Sequence, residues 1–170
     1  MRADPAALHQ LFYPRGVAVI GSASEGKLGY ELIKQMRDGG YGHGDDRKGL
    51  YAVNPKAQGA LGVPGHHSVV EIGQPVDLAV IASPPVTVPD VLRDCGEGGV
   101  AAAAIITAGF SEIGNDAAER EVVAAAQEAG VRFVGPNCAG IVNTADHLYP
   151  SLETRPPAGR AAVIAQSGAI

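Results

Sequence analysis

The sequence is poor in the residues that staple, anchor or charge a surface. It has two cysteines, Cys95 and Cys138, and they lack CxxC spacing, so a disulfide framework is excluded. It has no run of about 18 apolar residues, so a membrane-spanning helix is excluded. Its 13 Lys and Arg are outnumbered by 18 Asp and Glu, leave a net charge of −5 and form no block. That argues against a nucleic acid or an anionic membrane as partner. The first residues, MRADPAALHQ, are polar and lack the apolar core of a secretion signal, which sets the expectation of a cytoplasmic protein. None of the five histidines has a second His, a Cys or a carboxylate at metal-ligand spacing, so no metal site is expected. What is there is a folded composition, 46% apolar and 18% charged over 170 residues. That length suits one domain, or one domain and the start of another, and buries roughly 70% of the unfolded surface without staples.

Glycine (23) and proline (12) are plentiful, and their positions punctuate the chain. Asp4 and Pro5 make a helix start, as N-cap and first helical residue, for a short helix to about Phe12. Gly16 to Ile20 is a continuous apolar run of strand length, the pattern of a strand buried on both faces. After a Gly-rich turn, a helix is expected from Lys27 to Arg37, with Leu28, Leu32, Ile33 and Met36 as its apolar stripe and Gly39–Gly40 as its stop. The alternation continues with strands at 50–53, 78–82, 102–106, 131–134 and 161–165. Helices are expected at 86–97, where Val88, Val91, Leu92 and Cys95 share a face, and at 116–129, capped by Gly130. Strands and helices alternating at this spacing give βαβ units and an α/β, doubly wound, mostly parallel sheet.

Turn clusters follow the carboxyl ends of these strands: residues 21–26, 54–56, 83–85, 107–110, 135–138 and 166–168. In an open α/β sheet the ligand crevice lies outside those ends. Several such clusters together point to a nucleotide-type ligand. Residues 21–27 (GSASEGK), between a strand and a helix, suit a phosphate. As a dinucleotide motif the segment lacks the middle Gly, having Ala23 there, and the second strand ends in Asn54-Pro55-Lys56 rather than the acidic residue an NAD ribose wants. A cation at that place suits a phosphorylated ribose, as in NADP or coenzyme A. As a P-loop, GxxxxGK is followed by Leu28 instead of the Ser or Thr that holds magnesium. As a coenzyme A site, the diphosphate falls at Ser22 to Lys27, a 3′-phosphate near Lys56, and the pantetheine arm along the other strand-end loops toward Asn137.

Residues 17–21 (VAVIG), 26–30 (GKLGY), 53–56 (VNPK), 75–81 (PVDLAVI), 105–112 (IITAGFSE) and 134–140 (VGPNCAG) carry a resemblance. In this order, between about Leu11 and Asn143, they resemble the CoA-binding domain of the NDP-forming acyl-CoA synthetases. That family includes ADP-forming acetate–CoA ligase and the succinyl-CoA synthetase α subunit, and residues 106–112 bring this chain nearer to the acetate–CoA ligase branch. The resemblance implies a Rossmann-like fold with coenzyme A as ligand. Gly21, Ser22, Ser24, Gly26 and Lys27 would lie at its phosphates, and Asn54 and Lys56 would flank its adenosine end. Ser83, Pro84, Thr107, Ala108, Gly109 and Phe110 would line the groove, and Asn137 and Cys138 would lie near the thiol end. The loop at 21–26 is one residue shorter than the family's usual GASxxxGK.

The resemblance also implies a division of labour. In the family, acid, ATP and CoA become acyl-CoA, ADP and phosphate by way of an acyl phosphate and a phosphohistidine. That histidine belongs to a second domain, which residues 161–170 resemble only at its opening, with Ser167 and Gly168 starting a phosphate-facing helix. The expected organisation is a CoA-binding domain at 1–145, a linker at 146–160 and the start of a truncated ligase domain at 161–170. The implied partners are ligase and nucleotide-grasp domains, in cis or as a separate subunit. The chain is then a binding module of such a synthetase, or of a homologue that regulates a fused acetyltransferase, or a stand-alone CoA binder. The alternative is an NAD(P)-binding Rossmann domain of a redox enzyme or sensor. Among the remaining candidates, His66–His67 reads as a solvated loop pair, Cys95 as core, Cys138 as a groove residue and Glu112 as a loop charge or crevice carboxylate.

Overall fold

A computed structural model describes residues 5–166. The chain alternates as expected: α1 (Pro5–Phe12), β1 (Gly16–Gly21), α2 (Leu28–Gly39), β2 (Gly49–Val53), β3 (Gly65–His66), β4 (Leu78–Ala82), α3 (Val88–Glu97), β5 (Ala102–Ile105), α4 (Asp116–Ala129) and β6 (Arg132–Val134). Asp4, expected to cap α1, lies outside the described residues.

All six strands are parallel, in the order β3-β2-β1-β4-β5-β6. The chain builds outward from β1 to β3, then returns to lay β4 on the other side of β1. That reversal makes the β1/β4 boundary the topological switch point, where such sheets bind ligands. Register pairs Gly21, the last residue of β1, with Ala82, the last of β4, so both strands deliver their following loops at one level.

Every residue of β1 is buried, because helices cover both faces. On one face Ala18, Ile20, Ala79, Ile81, Ala103 and Ile105 pack against Leu92 and Cys95 of α3 and Val122 and Ala125 of α4. On the other, Val17, Val19, Leu78 and Val80 pack against Leu32, Ile33 and Met36 of α2. The side chains alternate along each strand, as the pleat requires. Cys95 is core, as expected, and burial pushes its thiol up to about 12.

The expected stripe of α2 is corrected at Leu28, which is exposed. Gly29 takes the inward place because a Cβ there would stand 2.6 Å from the Ser22 carbonyl oxygen. The helix expected from Val86 starts later, since Pro85–Thr87 is a 3₁₀ turn and the α-helix begins at Val88. The strand expected at 161–165 is not formed. Those residues are exposed and pair with no neighbour, with Ile164 98% exposed. The sixth strand is instead β3, a two-residue edge strand whose Gly and His carry no apolar signal. The solvated histidine pair is therefore also corrected. His66 lies in β3 with its ring edge-on to Tyr51 at 5.8 Å and its Nε2 buried, whereas His67 is exposed.

Packing continues past residue 145. Leu148 is fully buried in the cluster on the α2 side of the sheet, Ser151 is buried and bridges Gly140, and residues 152–166 are all exposed.

The amino end of the sheet is fastened by Asp77, which is buried just before β4. Its carboxylate accepts from the Arg15 guanidinium at 2.9 and 2.6 Å, from the Arg15 amide at 2.8 Å and from the Gln10 amide at 3.2 Å. The Arg15 hydrogen bonds hold Asp77 below the usual carboxylate range against the cost of burial.

Candidate functional site

The segment that leaves β1 is a tight turn. Ser22 Oγ accepts from the Ser24 amide at 3.4 Å, and the Lys27 amide donates to the Ser24 carbonyl at 3.1 Å. Gly26 turns the chain at φ +75° with open space around it, a conformation that disfavours a side chain. Lys27 is the N-cap of α2 but makes no side-chain cap bond, so among the described residues the first amides of the helix have no side-chain partner. Uncapped amides and the helix dipole together favour an anion at that end. Lys27 is exposed and, among the described residues, in no ion pair.

Beside it lies the turn after β2. Asn54 is buried at 8% exposure, and its side chain makes three bonds within its own turn. Oδ1 accepts from the Lys56 and Gln58 amides at 3.2 and 3.0 Å, and Nδ2 donates to the Gln58 carbonyl at 2.8 Å. Lys56 is left exposed at the tip, again without an ion pair among the described residues. Ser24 Oγ donates to Gln58 Oε1 at 3.3 Å, joining this turn to the one after β1.

Across the switch point, the turns after β4, β5 and β6 are joined in the same way. Thr107 Oγ1 donates to the Ser83 carbonyl at 2.8 Å. The Asn137 amide donates to the Thr107 carbonyl at 2.9 Å. Ser83 Oγ and Thr87 Oγ1 are 2.9 Å apart, while Thr87 donates to the Pro84 carbonyl. Five of the expected clusters thus stand on one rim at the carboxyl edge of the sheet. Ser167 and Gly168, of the sixth, lie outside the described residues.

Within that rim the residues have different capacities. Ser22, Lys27, Lys56, Pro84, Ala108 and Asn137 are exposed. Phe110 is not a surface residue: its ring is fully buried between the sheet and α4, so only its backbone faces the rim. Cys138 is half-buried, with Sγ 3.3 Å from the Ile105 carbonyl, and burial raises its thiol above the ordinary range. A thiol so held is a poor nucleophile. Glu112 folds back onto its own loop, accepting from the Gly109 amide and, at 3.1 Å, from the Phe110 amide. The Gly109 bond lowers its carboxyl below the usual glutamate range. It therefore orders the loop instead of facing a ligand. Gln58 and Thr87 had no signal in the sequence, because a bridging amide or hydroxyl is visible only once two loops are adjacent.

Among the described residues no group of three His, Cys, Asp or Glu could hold a metal ion, and no helix is long and apolar enough to cross a membrane.

The family model for the CoA binding domain matches residues 15–144. The chain is 41% identical over 165 residues to an ADP-forming acetate–CoA ligase of Methanocaldococcus jannaschii, covering 96% of this chain and 22% of that protein. It is 42% identical over 166 residues to the alpha subunit of ADP-forming acetate–CoA ligase II of Pyrococcus furiosus, covering 96% of this chain and 35% of the subunit. Among solved structures, the apo form of the dinucleotide forming acetyl-coenzyme A synthetase 1 of Ca. Korarchaeum cryptofilum superposes with a TM-score of 0.78 at 33% identity. That match covers 85% of this chain and 31% of the other. The chain thus spans about a fifth to a third of the length of these relatives.

Proposed function

The chain belongs to the CoA binding domain family, and on that premise we propose that it is the CoA-binding part of an ADP-forming acyl-CoA ligase. The ligand is coenzyme A. In the whole protein the reaction is acid, ATP and CoA going to acyl-CoA, ADP and phosphate, with the remaining domains supplied in cis or by a separate subunit. The 170-residue chain binds the cofactor and does not perform the ligation by itself.

One observation carries the assignment of the site. Two exposed lysines, in no ion pair among the described residues, and a helix start without a side-chain cap stand at the carboxyl edge of the sheet, in a chain of net charge −5. CoA carries a diphosphate and a 3′-phosphate, and the two cationic turns divide them. Ser22, Ser24, Gly26 and Lys27 take the diphosphate, and Lys56 takes the 3′-phosphate. Each lysine contributes a charge-assisted bond of roughly 1.5–3 kcal/mol where the ligand excludes water. The pantetheine arm crosses Ser83, Pro84, Thr107, Ala108 and the Gly109–Phe110 backbone toward Asn137 and Cys138. The domain extends to Ser151, residues 152–160 form the linker, and the ligase domain starts at 161.

Calorimetric titration of the chain with CoA, dephospho-CoA, NAD and NADP tests the reading. CoA is expected to bind most tightly, with dephospho-CoA weaker by the loss of one phosphate contact. Tighter binding of NADP than of CoA overturns it.

A further inference from the structure

The turn after β2 is built more firmly than a lysine-bearing loop needs. All three polar bonds of the Asn54 side chain are spent inside residues 54–58, and one amide orientation alone satisfies them, since Oδ1 must accept twice and Nδ2 donate once. The Ala57 amide adds a bond to the Asn54 carbonyl at 2.9 Å, and the Asn54 amide donates to the His66 carbonyl at 3.0 Å, so edge strand β3 also holds the turn. The ring of His67 stands 3.2 Å from the Pro55 carbonyl. Ala57 sits at φ +47°, a left-handed conformation that a residue with a side chain keeps only where its surroundings impose it. At the centre of this framework the Lys56 backbone is fixed and its side chain is exposed.

A buried asparagine with both lone pairs of Oδ1 in use has little left to offer a ligand. We infer that Asn54 is a positioning residue that acts through Lys56. By locking residues 54–58 it aims that ammonium at the ribose phosphate, and it thereby sets the preference of the site for CoA over dephospho-CoA. The inference rests on the reading of the crevice as a CoA site and deepens it: ligand discrimination is assigned to a side chain that does not touch the ligand.

A double-mutant cycle tests it. CoA and dephospho-CoA are titrated calorimetrically into the wild type, Asn54→Ala, Lys56→Ala, the double variant and Asn54→Ser, each checked for its thermal melt. Asn54→Ala is expected to lose about tenfold in CoA affinity and little for dephospho-CoA, the size of one charge-assisted contact. The double variant is expected to bind CoA no worse than Lys56→Ala alone. Asn54→Ser keeps a hydroxyl that can accept from the amide two residues on, and should recover part of the preference. It also carries the test where Asn54→Ala fails to fold. Additive losses in the cycle, or equal losses for both ligands, overturn the positioning role while leaving the CoA site standing. A wild type that binds neither ligand overturns the CoA reading itself, and the inference with it, before any variant is compared.

Discussion

Thr107 donates its hydroxyl hydrogen to the backbone carbonyl of Ser83 across 2.8 Å, tying the end of β5 to the end of β4 beside the switch point. The Asn137 amide closes the chain of contacts onto the Thr107 carbonyl. Thr107 thus ties three of the crevice turns, with its hydroxyl to the turn after β4 and with its backbone carbonyl to the turn after β6. Thr107→Val keeps the shape and removes the bond, leaving the partly buried Ser83 carbonyl short of a partner. The expected cost is about 1 kcal/mol of stability in urea unfolding, with a several-fold loss of CoA affinity. Thr107→Ser should retain most of both. A valine variant that binds CoA as tightly as the wild type would show that the tie is structural only.

Gly29 is required by contact, not by turn geometry. A methyl group there meets the Ser22 carbonyl oxygen at 2.6 Å, so α2 or the phosphate turn must shift. Gly29→Ala is expected to destabilise the chain by about 1–3 kcal/mol, in the range of overpacked cores, and to weaken CoA binding. Gly159 has nothing within 4 Å, so Gly159→Ala serves as the control and should change stability by less than about 0.5 kcal/mol. Equal melting temperatures for the two variants contradict the packing argument.

Asp77 links stability to pH at the far end of the sheet from the crevice. Its folded carboxyl lies below the ordinary range because Arg15 hydrogen-bonds the charged form. The stabilisation is therefore complete above the unfolded value of about 3.9 and is lost as pH falls through the lower, folded value. Asp77→Asn should cost about 1–2 kcal/mol at neutral pH, a figure reduced because the Arg15 side chain is largely exposed. It should also flatten the fall of stability below pH 4 or so. Calorimetric melts between neutral and acid pH read both effects. CoA affinity at neutral pH should stay unchanged, and its loss would place Asp77 in the binding machinery.

Glu112 makes a spectroscopic prediction. Because the Gly109 amide donates to its carboxylate, the folded carboxyl is lowered, and the cap is present above the ordinary glutamate value and lost as pH falls through the lower one. The Gly109 amide resonance in an NMR pH titration should move with a midpoint below about 4.3. Glu112→Gln should abolish that step and speed exchange of the Gly109 and Phe110 amides. A midpoint at or above the ordinary value means the cap is not formed in solution.

The α/β alternation was legible because strands buried on both faces leave short, unbroken apolar runs, as at 16–20 and 78–82. The rim was legible because Gly, Pro, Asn and Ser cluster where the backbone must turn. Two kinds of feature were not. Pairing partners decide whether a short segment becomes a strand, so β3 formed beside β2 from two unremarkable residues while the more apolar 161–165 found no neighbour. Side-chain direction was also hidden. Asn54 and Phe110 sit in crevice motifs, yet one is spent inside its turn and the other in the core. Nothing in the spacing marks Gln58, whose role depends on a turn 34 residues earlier in the chain.

The placement of the cofactor at the carboxyl edge of the sheet is tested most directly by adding CoA to the isotopically labelled chain and following its backbone amides by NMR. The account predicts that the amides of residues 22–29, 54, 56–58, 83, 86–87, 107–110 and 137–138 shift with a common saturation. It also predicts that those near Arg15, Asp77 and Val100, at the opposite edge, stay still. Shifts confined to that opposite edge, or none at saturating CoA, would contradict it.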